Sequence, residues 1–258
     1  MVRGLYTGYT GMWNETKRMD IITNNLANSA TVGYKEENVT SQAFDRLYTD
    51  KIRDGSEAYV TKRIGNMSLG VKVGEVYTDY GQGSLRETGA TYDMAISGTG
   101  FFAVRMTNAQ GEETSRYTRN GSFKMTKDGY IVDSDGNHLQ SGGGDLQVPV
   151  DAADISIDQM GYVYADGNMV SKIELKDFAD YDYLKKYGDN YYETVDGATE
   201  IPATGLIEQG YTEQSNVNVV SEMVEMITIT RAYEANQKVI QTEDDMLDKA
   251  VNNVGRVG

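Results

Sequence analysis

The sequence predicts an α+β protein in which helices from the two ends of the chain pair as a coiled-coil-like bundle, with a central antiparallel β domain between them in sequence. Apolar residues recur at every seventh position near both termini, which is typical of a helix that packs against another helix. Between these ends, short apolar runs alternate with Asn-Gly and Asp-Gly dipeptides, which is typical of strands joined by tight turns.

The C-terminal region carries the longer helical pattern. No proline or glycine occurs between Gly210 and Gly255, so the sequence permits one long helix. We predict that its assembly seam consists of the residues at heptad spacing, Val219, Met226, Tyr233, Ile240, Leu247 and Val254. The interleaved positions that complete the 3-4 spacing are only partly apolar; they are Met223, Thr230, Gln237, Asp244 and Val251.

The N-terminal region carries a second heptad pattern over residues 2–28. Its predicted seam residues are Leu5, Met12, Met19 and Leu26. Gly4, Gly8 and Gly11 share one helix face and permit another backbone to approach closely, although each costs about 1 kcal/mol relative to alanine. Two heptad helices at opposite ends of the chain indicate a helix pair, whose seam could be buried within one chain or against other copies.

The central region is predicted to be β throughout. Its turn dipeptides are Asn120-Gly121, Asp128-Gly129, Asp135-Gly136 and Asp166-Gly167. Short strands between such turns indicate an antiparallel meander or a small sandwich, and residues 176–200 are expected to form an exposed loop or appendage. These patterns divide the chain into a terminal helical axial domain (1–35 and 215–258), a connecting segment (36–64) and a central mainly-β domain (65–214).

The composition excludes several classes of function. A formal net charge of −15 argues against nucleic acid or an anionic membrane as the main partner, because both bind clustered Lys and Arg. The chain has no cysteine and one histidine, His138, which removes disulfide frameworks, most zinc sites and nucleophiles activated by histidine. No window has the length of a transmembrane span, and the N-terminus lacks the continuous apolar run of a cleaved secretory signal.

Two acidic patterns have both a chemical and a structural interpretation. Asp133, Asp135 and Asn137 imitate the start of a calcium loop, but Gly136 is at the fourth position of that loop instead of the sixth, and the twelfth position is Gly144 instead of Glu. We therefore interpret these residues as a hairpin turn. Asp180 and Asp182 could in principle perform glycosidase chemistry, but pairs of this kind arise by chance in a chain with 39 acidic residues. We therefore predict no enzyme activity and no catalytic, metal-binding or cofactor-binding residues.

Three separated groups of residues resemble the signatures of bacterial flagellar rod and hook proteins. The group that ends the first helix comprises Asn24, Asn25, Leu26, Ala27 and Asn28, followed by Gly33, Tyr34 and Lys35. The central group comprises Gly98, Gly100, Phe101 and Phe102, then Tyr117, Thr118, Arg119, Asn120, Gly121 and Phe123. The C-terminal group comprises Ser215, Asn216, Val217, Arg231, Ala232 and Tyr233. Together they place nearly the whole chain within the resemblance, in the family's order.

This resemblance implies a structural subunit of the flagellar basal-body rod that self-assembles through its terminal helices into the axial drive shaft. Within the family, the C-terminal group favours the distal rod type. The implied partners are copies of the same chain, other axial proteins of the rod and hook, and the flagellar type III export apparatus, which would deliver the subunit to the basal body without a cleaved signal peptide. Neither nucleic-acid binding nor membrane insertion is implied.

Two alternatives remain open from the sequence. The first is a proximal rod or hook subunit of the same family. The second, from a different class, is a secreted adhesin-like β domain on a helical oligomerisation stalk. An adhesin should bind its ligand through the β domain alone, whereas a rod subunit should not.

Overall fold

The structure, a computed structural model, describes residues 2–51, 62–107 and 111–254 of the 258-residue chain, with the backbone alone at positions 2, 50–51, 62–64 and 253–254. Helix α1 is Val2–Ala27, and helix α2 is Val219–Lys249, continued by a π-helical turn at Ala250–Val254. The strands are β1 (Glu37–Ala43), β2 (Leu47–Lys51), β3 (Lys62–Met67), β4 (Val71–Thr78), β5 (Leu85–Glu87), β6 (Met94–Ser97), β7 (Phe101–Thr107), β8 (Glu113–Thr118), β9 (Lys124–Met125), β10 (Ile131–Val132), β11 (His138–Ser141), β12 (Gly144–Asp145), β13 (Ile155–Ile157), β14 (Tyr162–Ala165), β15 (Asn168–Lys172), β16 (Leu175–Phe178), β17 (Leu184–Tyr187), β18 (Tyr191–Thr194), β19 (Glu200–Pro202), β20 (Leu206–Gln209) and β21 (Tyr211–Glu213).

The α+β class is confirmed. A helix at each end of the chain encloses, in sequence, a region in which every described strand pair is antiparallel. Within the described ranges, neither α-helix contains a stretch long and apolar enough to cross a membrane. The chain forms two compact units, each described below by itself.

The first unit contains α1 up to Leu26, Glu37–Thr78, and the chain from Val219 onward. Its helices lie side by side and run antiparallel, because successive glycines of α1 face successively earlier residues of α2. A Cβ atom added to Gly8 would lie 3.0 Å from Cγ1 of Ile240, and one added to Gly11 would lie 2.9 Å from Nδ2 of Asn236. The close backbone approach predicted for the α1 glycines is therefore observed.

Residues 36–64, the predicted connecting segment, are largely β structure in the part that the structure describes. Strand β1 pairs with β4 and β2 pairs with β3, so two antiparallel ribbons form. The first ribbon packs on α1, where the amide of Asn14 donates a hydrogen bond to Ser41 Oγ at 3.0 Å. Strand β1 has no apolar alternation by which the sequence could reveal it. It forms by pairing with residues of β4 that are 28 to 41 positions away in sequence.

The second unit contains Ala27–Glu36 and Asp79–Asn218. Its largest sheet has ten strands, in the order β17-β18-β8-β7-β11-β10-β9, with β12 beside β11, β16 beside β7 and β19 beside β16. A three-stranded sheet (β13-β14-β15) and two strand pairs (β6 with β20, and β5 with β21) complete it. The sequence predicted domain boundaries at residues 36, 65 and 215. The two compact units described here are those of a single chain, so these domain boundaries stay a prediction.

Strand β7 lies at the centre of this unit and has apolar residues on both faces. Phe102 and Val104 belong to the larger core cluster, whereas Phe101 and Ala103 belong to a second cluster on the other face. A strand buried on both faces reads as a continuous apolar run, which explains why the sequence predicted β7 so clearly.

Two predictions in this region are wrong. Residues 176–200 are not an appendage: β17 and β18 extend the ten-stranded sheet, and Phe178, Leu184 and Tyr192 fill the second core cluster. Asn120-Gly121 is not a hairpin turn, because the strands on either side of it, β8 and β9, do not pair with each other. Gly121 instead passes so close to Met94 that a Cβ atom would lie 1.5 Å from the Met94 carbonyl oxygen.

Candidate functional site

The predicted seam residues of the terminal helices are only partly covered. In α2, Val219, Met226, Tyr233, Ile240 and Leu247 are all half-buried. In α1, Met12, Met19 and Leu26 are half-buried, whereas Leu5 is exposed. The side chain of Val254 lies outside the described residues. Of the seam residues with described side chains, none is fully buried, so the described chain leaves apolar surface on both helices.

The interleaved row of α2 differs from the prediction by one residue. Met223, Thr230, Gln237, Asp244 and Val251 are exposed. The covered positions are one residue earlier; they are Glu222, Ile229, Asn236, Glu243 and Ala250. Both rows satisfy a 3-4 repeat with the heptad residues, and the sequence could not choose between them because the covered row contains Glu and Asn. Only Ile229, which is 1 % exposed, is a large apolar residue in it.

Asn25 gives the family-like motif at the end of α1 a physical role. Its side-chain amide donates to the carbonyl of Glu37 at 2.8 Å, and its side-chain oxygen accepts from the Glu37 amide at 3.0 Å. It also donates to the carboxylate of Glu222 in α2 at 3.3 Å. One buried amide therefore holds the start of β1 and the first turns of α2 against the end of α1, because a primary amide has two N–H donors and an oxygen acceptor and all are used here.

A buried charge cluster of Lys35, Arg119 and Glu213 lies in the second unit. Lys35 Nζ donates to Glu213 Oε1 at 2.5 Å and to the Gly81 carbonyl at 2.8 Å, while the Gly83 amide donates to the same carboxylate oxygen at 2.9 Å. The guanidinium of Arg119 approaches the other oxygen of Glu213 at 3.4 Å. Burial lowers the pKa of the Lys35 ammonium, and the adjacent Glu213 carboxylate opposes that shift.

Arg119 joins this cluster to two other motif residues. Its guanidinium donates to the carbonyl of Gly98 at 3.0 Å and stands 5.2 Å above the ring of Phe101. Two of the three sequence groups that resemble one family therefore meet in space, since one supplies Lys35 and another supplies Arg119. Both contact Glu213, which lies two residues before the third group begins at Ser215. Sequence analysis missed Glu213, because nothing in its neighbours distinguishes it from the other acidic residues.

A second group of hydrogen bonds, within the second unit, links residues at the points where the chain enters or leaves that unit. The Glu36 amide donates to the side-chain oxygen of Asn216 at 2.8 Å, and the Asn216 amide donates to the Asp79 carbonyl at 2.9 Å. The Asp79 amide donates in turn to the Glu36 carbonyl at 2.8 Å. Asn216 thus fixes, inside the second unit, three chain segments that are remote in sequence.

Gly33 lies between Glu213 and Asn120 at a backbone position that requires glycine. Its φ of +71° is a conformation that other residues adopt rarely, and its amide donates to the Glu213 carbonyl at 2.8 Å. A Cβ atom at this position would lie 2.4 Å from the Asn120 amide nitrogen, so the backbones of two motif groups meet here. Glycine is required both by the dihedral angle and by the space.

Replacing Gly33 with alanine is therefore expected to lower the free energy of unfolding of the second unit by about 2–4 kcal/mol. The matched control is Gly136→Ala, since Gly136 has a φ of +88° but no atom near the added Cβ, and it should cost only about 1–2 kcal/mol. Chemical denaturation followed by tyrosine circular dichroism measures both. Equal losses for the two variants would contradict the steric part of the argument.

Asp133 and its neighbours form the hairpin turn between β10 and β11. The Asp133 carboxylate accepts from the backbone amides of Asp135 and Asn137, each at 2.9 Å, and from the hydroxyl of Tyr191 at 2.7 Å. Burial, together with the hydrogen bonds to Asp135 and Asp133, raises the pKa of Tyr191 far above its ordinary value. Among the described residues, no group of three His, Asp or Glu side chains is placed to hold a metal ion.

Three parts of the chain match known protein families. Residues 5–35 match the family described as "Flagella basal body rod protein", residues 95–165 match "Flagellar hook protein FlgE/F/G D1 domain", and residues 208–253 match "Flagellar basal body rod FlgEFG protein C-terminal". The flagellar basal-body rod protein FlgG of Bacillus subtilis (strain 168) is 36 % identical, over 98 % of this chain and 99 % of its own length. The chain belongs to the flagellar basal-body rod protein family.

Two further relatives come from one organism, Caulobacter vibrioides (strain ATCC 19089 / CIP 103742 / CB 15). Its rod protein FlgG is 36 % identical over 95 % of this chain and 97 % of its own length, and its rod protein FlgF is 32 % identical over the whole of both chains. As a member of the rod family, the chain is a structural protein of the flagellar basal body and not an enzyme. Family membership favours the rod interpretation over the adhesin alternative.

Proposed function

We propose that this chain is a distal-type subunit of the flagellar rod and that it self-assembles through its terminal helices. The chain is 36 % identical to FlgG and 32 % identical to FlgF of the same organism. FlgG is the distal rod protein of this family, so the higher identity supports the distal type. The incomplete burial of the seam supports self-assembly, because half-buried apolar residues on both helices gain about 25 cal/mol per Å² only when another molecule covers them.

The proposed form of the assembly is a coiled-coil-like bundle. The covered positions of α2 alternate at spacings of three and four, which supports packing of knobs into holes rather than the broader contact of an ordinary surface helix. The α1 glycines support it as well, since they let the two axes approach closely enough for the seam residues to meet. Met12, Met19, Met226 and Ile240 are the seam residues that we expect to gain most burial.

The proposed partners are copies of this chain, neighbouring rod and hook proteins, and the flagellar export apparatus. Relatives named for both the rod and the hook-basal body complex support the axial partners; one is FlhO of Bacillus subtilis (strain 168), "Flagellar hook-basal body complex protein", at 30 % identity over the whole of both chains. A subunit of the rod must reach a site outside the cytoplasm, so we propose export through the flagellar channel without removal of a signal peptide.

The proposed function predicts that Ile240→Asp abolishes assembly into basal bodies, because an unpaired carboxylate in a closed apolar seam costs several kcal/mol. Ile240 packs beside Gly8 within the chain, so hydrogen exchange of the purified variant checks that the second unit remains folded. Gln237→Asp is the matched control, because Gln237 is exposed on the same helix. The measurement is the amount of the chain in purified basal bodies of a motile strain that carries it in place of its own FlgG.

Two results would contradict the proposal. Normal incorporation and motility with Ile240→Asp would show that the seam does not drive assembly. Restoration of motility in a strain lacking FlgF, but not in one lacking FlgG, would replace the distal type by the alternative within the family.

A further inference from the structure

The heptad patterns of α1 and α2 leave open the register of the helix pair, that is, which residue of one helix faces which residue of the other. The seam residues of each helix recur at intervals of seven. Sliding one helix by seven residues, about 10 Å along its axis, replaces each seam contact by an equivalent one with the next residue of the same row. The apolar pattern alone therefore does not select one register.

A second pair of rows changes character from one heptad to the next. The covered row of α2 begins with Glu222, Ile229, Asn236 and Glu243, and the α1 row that meets it consists of Gly4, Gly11, Arg18 and Asn25. A Cβ atom added to Gly4 would lie 2.5 Å from Oε1 of Glu243. One added to Gly11 would lie 2.9 Å from Nδ2 of Asn236. At the other end of the rows, the amide of Asn25 donates to the carboxylate of Glu222 at 3.3 Å.

These three contacts all belong to one register. In each pair the two residue numbers add up to 247, as expected for antiparallel helices that face each other at a fixed offset. The contacts extend from Glu222 to Glu243, which is about 30 Å of α2. Arg18, the remaining member of the α1 row, pairs at 2.7 Å with Glu225, whose side chain is 47 % exposed. One register thus satisfies three contacts of different chemistry at once.

A slip of one heptad in either direction would separate Asn25 from Glu222. In the first slip, Ile229 comes opposite Asn25, and Glu222 passes beyond the end of α1 at Ala27. In the second slip, Asn25 comes opposite Ser215, which precedes the start of α2 at Val219. Asn25 and Glu222 are 1 % and 5 % exposed, so loss of the hydrogen bond between them costs more than loss of an exposed one.

We propose that Asn25 and Glu222 are positioning residues that select the register of α1 against α2, with the glycine contacts at Gly4 and Gly11 as support. A single buried polar position is known to select register between heptad helices, whose apolar rows are interchangeable. The inference goes beyond the proposed function, because it concerns two helices of one chain and holds whether or not the chain assembles.

Disulfide formation within the dilute full-length chain measures the register, since the chain has no native cysteine. Gly8→Cys is combined with Ile240→Cys, Leu247→Cys or Tyr233→Cys, which report the observed register, the first slip and the second slip. A Cβ atom at Gly8 would lie 3.0 Å from Cγ1 of Ile240, so a disulfide can form there. A disulfide needs Cβ atoms about 4 Å apart and a slip moves them by about 10 Å, so each pair reports one register. In the otherwise unchanged chain, only the pair with Ile240→Cys should oxidise readily.

Exchange of two residues of the covered row is the most demanding test. Glu222→Ile with Ile229→Glu conserves the composition of α2 but moves the carboxylate by one heptad, to the position that faces Asn25 in the first slip. The disulfide with Leu247→Cys should then predominate, with a yield at least about tenfold above that in the chain without the exchange. Persistence of the Ile240→Cys disulfide as the main product, with both helices intact by hydrogen exchange, would overturn the proposal.

Glu222→Leu keeps the proposal falsifiable if the exchanged variant does not fold. Asn25 retains both hydrogen bonds to the Glu37 backbone in this variant, so α1 stays attached to β1. One of the two slipped disulfides should rise at least about tenfold, because nothing then distinguishes the observed register by hydrogen bonding. Glu225→Leu, the same change at the exposed ion pair, is the control and should oxidise only with Ile240→Cys.

Two results with these variants would overturn the inference. Unchanged slipped yields in Glu222→Leu would mean that the register is held by other parts of the chain. Equal rises in Glu222→Leu and Glu225→Leu would mean that the exposed ion pair contributes as much as the buried pair. Neither result bears on the rod function, which is tested separately by incorporation into basal bodies.

Discussion

Glu213→Gln is expected to lower the free energy of unfolding of the second unit by about 3–5 kcal/mol. The substitution preserves the shape of the side chain but removes the charge that neutralises Lys35 and Arg119. All three side chains are almost completely buried, so water cannot replace the lost carboxylate. Because Glu213 also accepts a hydrogen bond from the Gly83 amide, the loop after Asp79 should become more open to hydrogen exchange.

The control for this prediction is the same substitution at Glu113. That residue pairs with Arg105 at 2.9 Å in the same unit, but its side chain is 55 % exposed, so its loss should cost no more than about 1 kcal/mol. Denaturation of the full chain, followed by tyrosine circular dichroism, compares the two variants. Equal stabilities would mean that the buried cluster contributes nothing beyond an exposed ion pair. Adding Lys35→Met to Glu213→Gln should recover part of the loss, because the buried ammonium is then absent.

Ile229→Asp is expected to destabilise the first unit by about 3–5 kcal/mol or to prevent the helices from pairing. Ile229 is 1 % exposed and is the one large apolar residue in the covered interleaved row of α2. An aspartate there would bury an unpaired carboxylate among apolar atoms. Hydrogen exchange of the α2 amides measures the effect, and exchange of the amides in the strands of the second unit should not change.

Thr230→Asp tests which interleaved row of α2 packs against the rest of the first unit. Thr230 is exposed and belongs to the row that the sequence favoured. The free energy of unfolding of the variant should therefore lie within about 0.5 kcal/mol of that of the parent chain. The two substitutions introduce the same charge at adjacent positions. A larger effect at 230 than at 229 would restore the original assignment.

Several features of this protein could be predicted from local patterns. The heptads predicted the two helices, because a repeat of seven is visible without knowledge of the partner. The assembly seam that the same repeat indicates stays a prediction. Strand β7 was predicted because both of its faces are buried and its residues form an unbroken apolar run. The motif groups gave the family, and comparison with known rod proteins confirmed it.

The phase of the interleaved row could not be predicted in the same way. Glu222 and Asn236 occupy covered positions where the pattern leads one to expect apolar residues. Glu222 is tolerated because Asn25 donates a hydrogen bond to it, and Asn236 packs where Gly11 leaves space. In both cases the compensating residue lies on the other helix, more than 190 positions away in sequence for the first pair.

The class of the fold, the two helices and the family could be predicted from the sequence, because each is visible in patterns or motif groups whose residues are close together in the chain. Three features are visible only in the folded chain: residues 37–43 form a strand, Glu213 is the buried partner of Lys35 and Arg119, and Gly33 lies against Asn120. The physical reason is the same for all three. Strand pairing, desolvation of a charge and contact between backbones are interactions between segments remote in sequence, and no local pattern records which segments meet.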